Sequence, residues 1–122
     1  MINYKPFILT SVLAVFLTAC DDLLCSNDII KEQSSPDGRY IATLFERDCG
    51  ATTSYLRIVT LRQTGATFKA NKYDDWVFKM EGQPNVVFFW ANKDSLSISY
   101  SGYYGKAPMF VDSWKNVKII HN

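Results

Sequence analysis

The chain reads as all-β, a small antiparallel sandwich or barrel of about six to eight strands, and three observations predict it. Apolar and polar residues alternate with a two-residue period in several short runs, as in 95–100, where Leu96, Ile98 and Tyr100 interleave with serines. Clusters rich in Gly, Pro, Asn and Asp separate these runs. No window of useful length repeats apolar residues at helical spacing.

Residues 29–33 are a short extended run that stops at Ser34-Ser35-Pro36-Asp37-Gly38, where Pro fixes φ and Gly permits a tight turn. Residues 39–48 then read as a strand, and the two runs form a hairpin. Along that strand Tyr40, Ala42 and Leu44 share one face, and Ile41, Thr43 and Phe45 share the other. Both faces are apolar enough to be covered. Cys49-Gly50-Ala51-Thr52-Thr53 makes the next turn, and 55–61 is β-branched and aromatic as strands prefer. The polar stretch 62–75 reads as loop, and 76–80 as a short strand broken by Gly82 and Pro84. Residues 86–90 are continuously apolar, the pattern of a strand buried on two sides, and Asn92-Lys93-Asp94 turns the chain back. After the alternating strand at 95–100, residues 102–114 read as loop and 116–121 as a last strand.

Ahead of these elements lies a different kind of segment. A polar start carrying Lys5 leads into an apolar run at 7–19, the order of regions in a secretory signal peptide. Thirteen residues are too few to cross the roughly 30 Å of hydrocarbon as a helix, which takes about 20. The run ends in Leu17-Thr18-Ala19-Cys20, which resembles the lipobox of bacterial lipoproteins. The resemblance implies cleavage after residue 19, a diacylglycerol on the Cys20 thiol and acylation of its new amino terminus, so that membrane lipid is a partner through Cys20. Several acyl chains give stable attachment where one is marginal. The other reading is an ordinary secreted protein in which Cys20 merely falls at that place. Asp21 resembles the signal that keeps enteric lipoproteins in the inner membrane facing the periplasm, with the outer membrane as the alternative. The domain plan is therefore signal peptide at 1–19, lipidated cysteine and short tether at 20–24, and one β domain at 25–122.

Removing 1–19 takes away Lys5 and no acidic group, so thirteen basic side chains become twelve, equal to the twelve acidic ones. A nucleic-acid partner, which calls for a surplus of Lys and Arg on one face, is not expected.

With Cys20 lipidated, Cys25 and Cys49 remain in a compartment that oxidises thiols, and they are expected to form one disulfide. Cys25 precedes the first hairpin and Cys49 follows its second strand, so the two fall opposite each other within a residue or two. A catalytic or metal-binding thiol lacks partners: the single histidine is His121, and no CxxC or paired-histidine spacing occurs. No cofactor or metal is expected. Glu46 with Asp48, and Asp74 with Asp75, are paired carboxylates read as solvated turn charges rather than an acid and base or a Ca²⁺ site.

Ser35-Pro36-Asp37-Gly38-Arg39-Tyr40-Ile41-Ala42 resembles the start of a blade in β-propellers of the TolB type, but it occurs once and a propeller needs several blades. That stretch, with Phe45-Glu46-Arg47-Asp48-Cys49-Gly50-Ala51-Thr52-Thr53 and the later Trp90 and Leu96-Ser97-Ile98-Ser99-Tyr100, resembles a group of small bacterial proteins of unknown function, often lipoproteins. The middle, 69–83, departs from that pattern. A slighter likeness is to the membrane-bound inhibitors of C-type lysozyme, small disulfide-bonded β-barrel lipoproteins that use a serine after one strand and a lysine on the next; Ser101 and Lys115 are similar to that pair in type and spacing.

Triads, HExxH helices and GxSxG elbows are absent, so the expectation is binding rather than catalysis. The candidate binding residues are Arg47, Asp48, Thr52 and Thr53, around a turn held by the disulfide, and Tyr103 and Tyr104 in an aromatic loop that also carries Met109, Phe110 and Trp114. The first group competes with a role in satisfying turn backbone groups, and the second with core filling. The resulting expectation is a membrane-anchored envelope protein that binds or protects, of the inhibitor or immunity type, with a protein partner at the membrane surface. An envelope structural or assembly factor is the alternative, and a hydrolase the lesser one.

Overall fold

The computed structural model describes residues 24–102 and 105–122. The predicted signal segment, Cys20, Asp21, Tyr103 and Tyr104 lie outside the described residues. The described chain forms nine strands: β1 (Ser26–Ser34), β2 (Tyr40–Asp48), β3 (Leu56–Gln63), β4 (Trp76–Glu81), β5 (Asn85–Asn92), β6 (Ser95–Ser101), β7 (Met109–Phe110), β8 (Ser113–Trp114) and β9 (Val117–His121). One sheet runs β1-β2-β3-β4-β7 and the other β5-β6-β9-β8, packed as a sandwich that does not close into a barrel. The strand count exceeds the expected six to eight because 102–114, read as loop, contributes β7 beside β4 and β8 beside β9. Runs of two residues are too short to show a period.

The expected first hairpin is present and longer than predicted. Before a bulge at Ile30, Ser26 pairs with Asp48 and Ile29 with Phe45; after it, Lys31 pairs with Leu44 and Ser34 with Ile41. Its turn is knit locally. The Ser35 hydroxyl donates to Asp37 at 2.7 Å and accepts from the Tyr40 amide at 3.1 Å, while Gly38 takes a positive φ of 73°. The Ser35 hydroxyl, followed by the Arg39 amide and charge, holds the Asp37 carboxyl below its ordinary range.

Alternation on β2 works as read. Tyr40, Ala42 and Leu44 enter the main core between the sheets with Val59, Phe78, Phe88, Leu96 and Ile98. Phe45 points the other way into a second apolar cluster with Ile58 and Trp76, closed from outside by Phe68 and Ala70. The segment after β3, read as polar loop, is thus a cover: it carries two apolar residues onto the sheet and ends in a short 3₁₀ turn, Tyr73–Asp75.

Among the described residues no segment covers the second sheet in this way, and this corrects the reading of 86–90 as buried on two sides. Val86, Phe88 and Trp90 face the core, whereas Val87 and Phe89 are 46% and 50% exposed. β5 is an edge strand, and its outward face meets solvent. The sheet is also not purely antiparallel, since β6 pairs with β9 in parallel. The chain leaves β6 to place β7 in the opposite sheet and returns through β8, so β9 enters running the same way as β6. At one side of the sandwich the edges meet: Lys31 Nζ donates to the Phe88 carbonyl at 3.1 Å, and Trp90 Nε1 donates to the Gln33 carbonyl at 3.0 Å.

Candidate functional site

The disulfide follows from the strand register. Ser26 pairs with Asp48, so the next residues outward, Cys25 and Cys49, stand opposite each other, and they are bonded with Cα atoms 4.0 Å apart. β1 and β2 meet the turn 49–55 at this end of the sandwich. There Asp48 Oδ1 accepts from the Gly50 amide at 3.0 Å, and the Thr53 amide and hydroxyl both donate to the Gly50 carbonyl at 3.1 Å. Thr52 is exposed beside them. Asp48 and Thr53 share a shallow depression with Gly50, Ala51 and Tyr55.

Arg47 does not belong to that surface. It lies on the Phe45 face of β2 and is only 5% exposed. Its guanidinium donates to Asn27 at 3.3 Å, to Asn71 and to the Tyr73 hydroxyl at 3.4 Å, and stacks near the Tyr73 and Trp76 rings. Arg47 therefore clamps the covering loop to the sheet, a role distinct from both recognition and turn capping. Arg47→Ala is expected to lower stability by about 2 kcal/mol, and Arg47→Lys to recover only part of it, since an ammonium cannot reproduce the planar fork. Thermal unfolding followed by circular dichroism measures both.

Each carboxylate pair departs in one member from the reading as solvated turn charges: Glu46 lies within β2 in an ion pair, and Asp75 is buried. Glu46 accepts from Arg57 at 3.2 Å and from Gln83 at 2.8 Å. Asp74 is exposed, but Asp75 is 8% exposed. Its carboxylate accepts from Trp114 Nε1 at 3.0 Å and pairs with Lys72 at 3.1 Å, tying the covering loop to β8. Alternation could not show this, because Trp114 is 39 residues away.

Nor does the fold bring Ser101 to Lys115. Ser95 pairs with Lys118 in the parallel register, so Lys115 lies beyond the Ser95 end of β6 while Ser101 ends the other. Six residues of strand at about 3.3 Å each separate them by at least about 20 Å. The aromatic loop residues divide: Trp114 is core, Phe110 packs against the core and Met109 is 40% exposed. Phe110 stacks on His121 with ring centroids 3.7 Å apart, and among the described residues neither buried imidazole nitrogen has a hydrogen-bond partner. Among the described residues no three His, Cys, Asp or Glu side chains gather as a metal site requires.

A groove of about 410 Å³ that sequence reasoning missed lies where the covering loop meets the β8–β9 turn. Thr60 to Gln63 of β3 form its floor, residues 65–69 one wall, and Asp75, Trp114 and Lys115 the other. Four cationic side chains, Arg62, Lys69, Lys72 and Lys115, line it against one carboxylate, Asp75. Arg62 is held in place by Thr43 at 2.7 Å, the Ala66 carbonyl at 3.1 Å and Glu32 at 3.3 Å. Three of the cations lie within 62–72, a segment with no acidic residue, and Lys115 joins them from the β8–β9 turn. Compared with protein-family models, characterised proteins and solved structures, the chain finds no match.

Proposed function

We propose that the protein is a lipid-anchored component of a bacterial envelope that binds a partner close to the membrane, with an inhibitory or protective role rather than a catalytic one. The observation that carries this reading is Leu17-Thr18-Ala19-Cys20 at the end of a thirteen-residue apolar run, followed after only four residues by Cys25. Cys20 and Cys25 can be no more than about 17 Å apart at full extension. Cys25 is bonded to Cys49, so the lipid would hold the disulfide end of the sandwich against the bilayer. Asp21 favours the periplasmic face of the inner membrane.

Cys20→Ala is expected to abolish incorporation of labelled fatty acid and to leave the protein uncut or released from membranes. Unchanged labelling would sink the anchor. For the role, affinity capture of the tagged protein from detergent-solubilised envelopes is expected to return one stoichiometric soluble partner. Recovery of envelope assembly machinery in its place would favour a structural or assembly factor.

A further inference from the structure

We propose that the groove between the covering loop and the β8–β9 turn binds a small oligoanion, a soluble ligand carrying two or more phosphate or carboxylate groups, through Lys69, Lys72 and Lys115. Charge is segregated there. The four cations and one carboxylate of the lining sum to +3, whereas the whole chain has a formal net charge of +1. A low-dielectric concavity lined by one sign of charge concentrates counter-ions of the other.

Two of the lining cations are engaged in the fold, Arg62 with Glu32 and Lys72 with Asp75, and two are not. Asp75 is neutralised in place by Lys72 and hydrogen-bonded by Trp114. Among the described residues no carboxylate pairs with Lys69 or Lys115; the Lys115 ammonium rests 4.9 Å from the centre of the Trp114 ring. Two uncommitted lysines therefore line, together with a lysine–carboxylate pair, a cavity in the size range of small-molecule sites.

Lys115 is the sharpest of these observations. Among the described non-glycine residues it alone has a positive φ, 49°. It follows β8 in a two-residue turn to β9, where glycine or asparagine would sit without strain. A lysine there costs conformational energy and places an ammonium at the groove rim. Observed strain of this kind is a pointer to function.

The position in the fold favours a dissolved ligand over a lipid headgroup. Leu56 of β3 pairs with Arg47, next to the disulfide end, and Thr60 to Gln63 lie four to seven residues farther along. At about 3.3 Å per residue the groove floor is about 13 to 23 Å from that end. With the anchor at Cys20, the groove opens on the half turned away from the bilayer. Only this choice of ligand source rests on the proposed anchor; the charge and strain arguments do not.

The test is calorimetric titration of the full chain in neutral detergent with pyrophosphate and with citrate, at about 0.01 M ionic strength and again at about 0.15 M. One saturable site is expected at low salt, weakened at the higher salt. Lys69→Gln and Lys115→Gly are each expected to bind about fivefold more weakly. Lys93→Gln, which alters an exposed lysine in the β5–β6 turn, is expected to bind unchanged. The melting temperature of Lys115→Gly should be no lower than that of the parent, because glycine relieves the strained φ, so its lost affinity cannot be put down to unfolding. Equal affinity in all three variants, or no saturation, would overturn the proposal. So would binding to vesicles of anionic phospholipid with none to pyrophosphate or citrate. Fatty-acid labelling of the same preparations shows separately whether the anchor holds.

Discussion

Cys49→Ser lowers the free energy of unfolding by about 3 to 4 kcal/mol, the value of closing a loop of this length in the chain-entropy model. The bridge spans 24 residues and joins the outer ends of β1 and β2. Its loss falls hardest on β1, an edge strand whose side chains are nearly all exposed and which has little apolar burial of its own to hold it. Urea denaturation should show a lower midpoint, and amide exchange should show the β1–β2 hydrogen bonds losing protection before those of β2–β3. Adding reductant should destabilise the parent and leave the variant unchanged. Two alkylated thiols in the unreduced parent would refute the bridge.

Phe45→Ala is expected to cost about 3 to 5 kcal/mol. The ring is fully buried on the outer side of the first sheet, edge-on to Phe68 at 5.3 Å and to Trp76 at 6.2 Å. It is the apolar seat on which the covering loop rests. The variant should therefore speed amide exchange in 64–75, and should weaken oligoanion binding at the groove that this loop walls. A double-mutant cycle with Phe68→Ala isolates the ring contact, with an expected coupling of about 0.5 to 1.5 kcal/mol. Purely additive effects would mean that Phe68 is not what holds the loop down.

The hairpin and its bridge were legible because both are local: a Pro-Asp-Gly turn sets which residues pair, and the cysteines fall at matching distances from it. The faces of β2 were legible for the same reason, since a two-residue period needs no knowledge of neighbours, whereas on β6 the period found Leu96 and Ile98 but not the burial of Ser97 or the exposure of Tyr100. Residues 86–90 misled because an apolar run reports side-chain type and not what lies beyond the sheet; Val87 and Phe89 are on the face of an edge strand that no layer among the described residues covers. Arg47 looked like a surface charge because charge suggests exposure, whereas its burial depends on Asn71, Tyr73 and Trp76 arriving from a segment more than twenty residues later. Near-neutral composition concealed the groove. A balanced total constrains the sum of charges and says nothing about how a fold sorts them.

The parallel pairing of β6 with β9 has a bearing on when the molecule can fold. β9 is an interior strand of its sheet, between β6 and β8, yet it is the last of the nine to be synthesised. Until residues 117–121 have left the ribosome, β6 has one unsatisfied edge, β8 has nothing to pair with, and the core lacks Val117 and Ile119. Nascent chains that stop short of β9 expose apolar surface that the other described strands do not close, so assembly of this sandwich waits for residues 117–121.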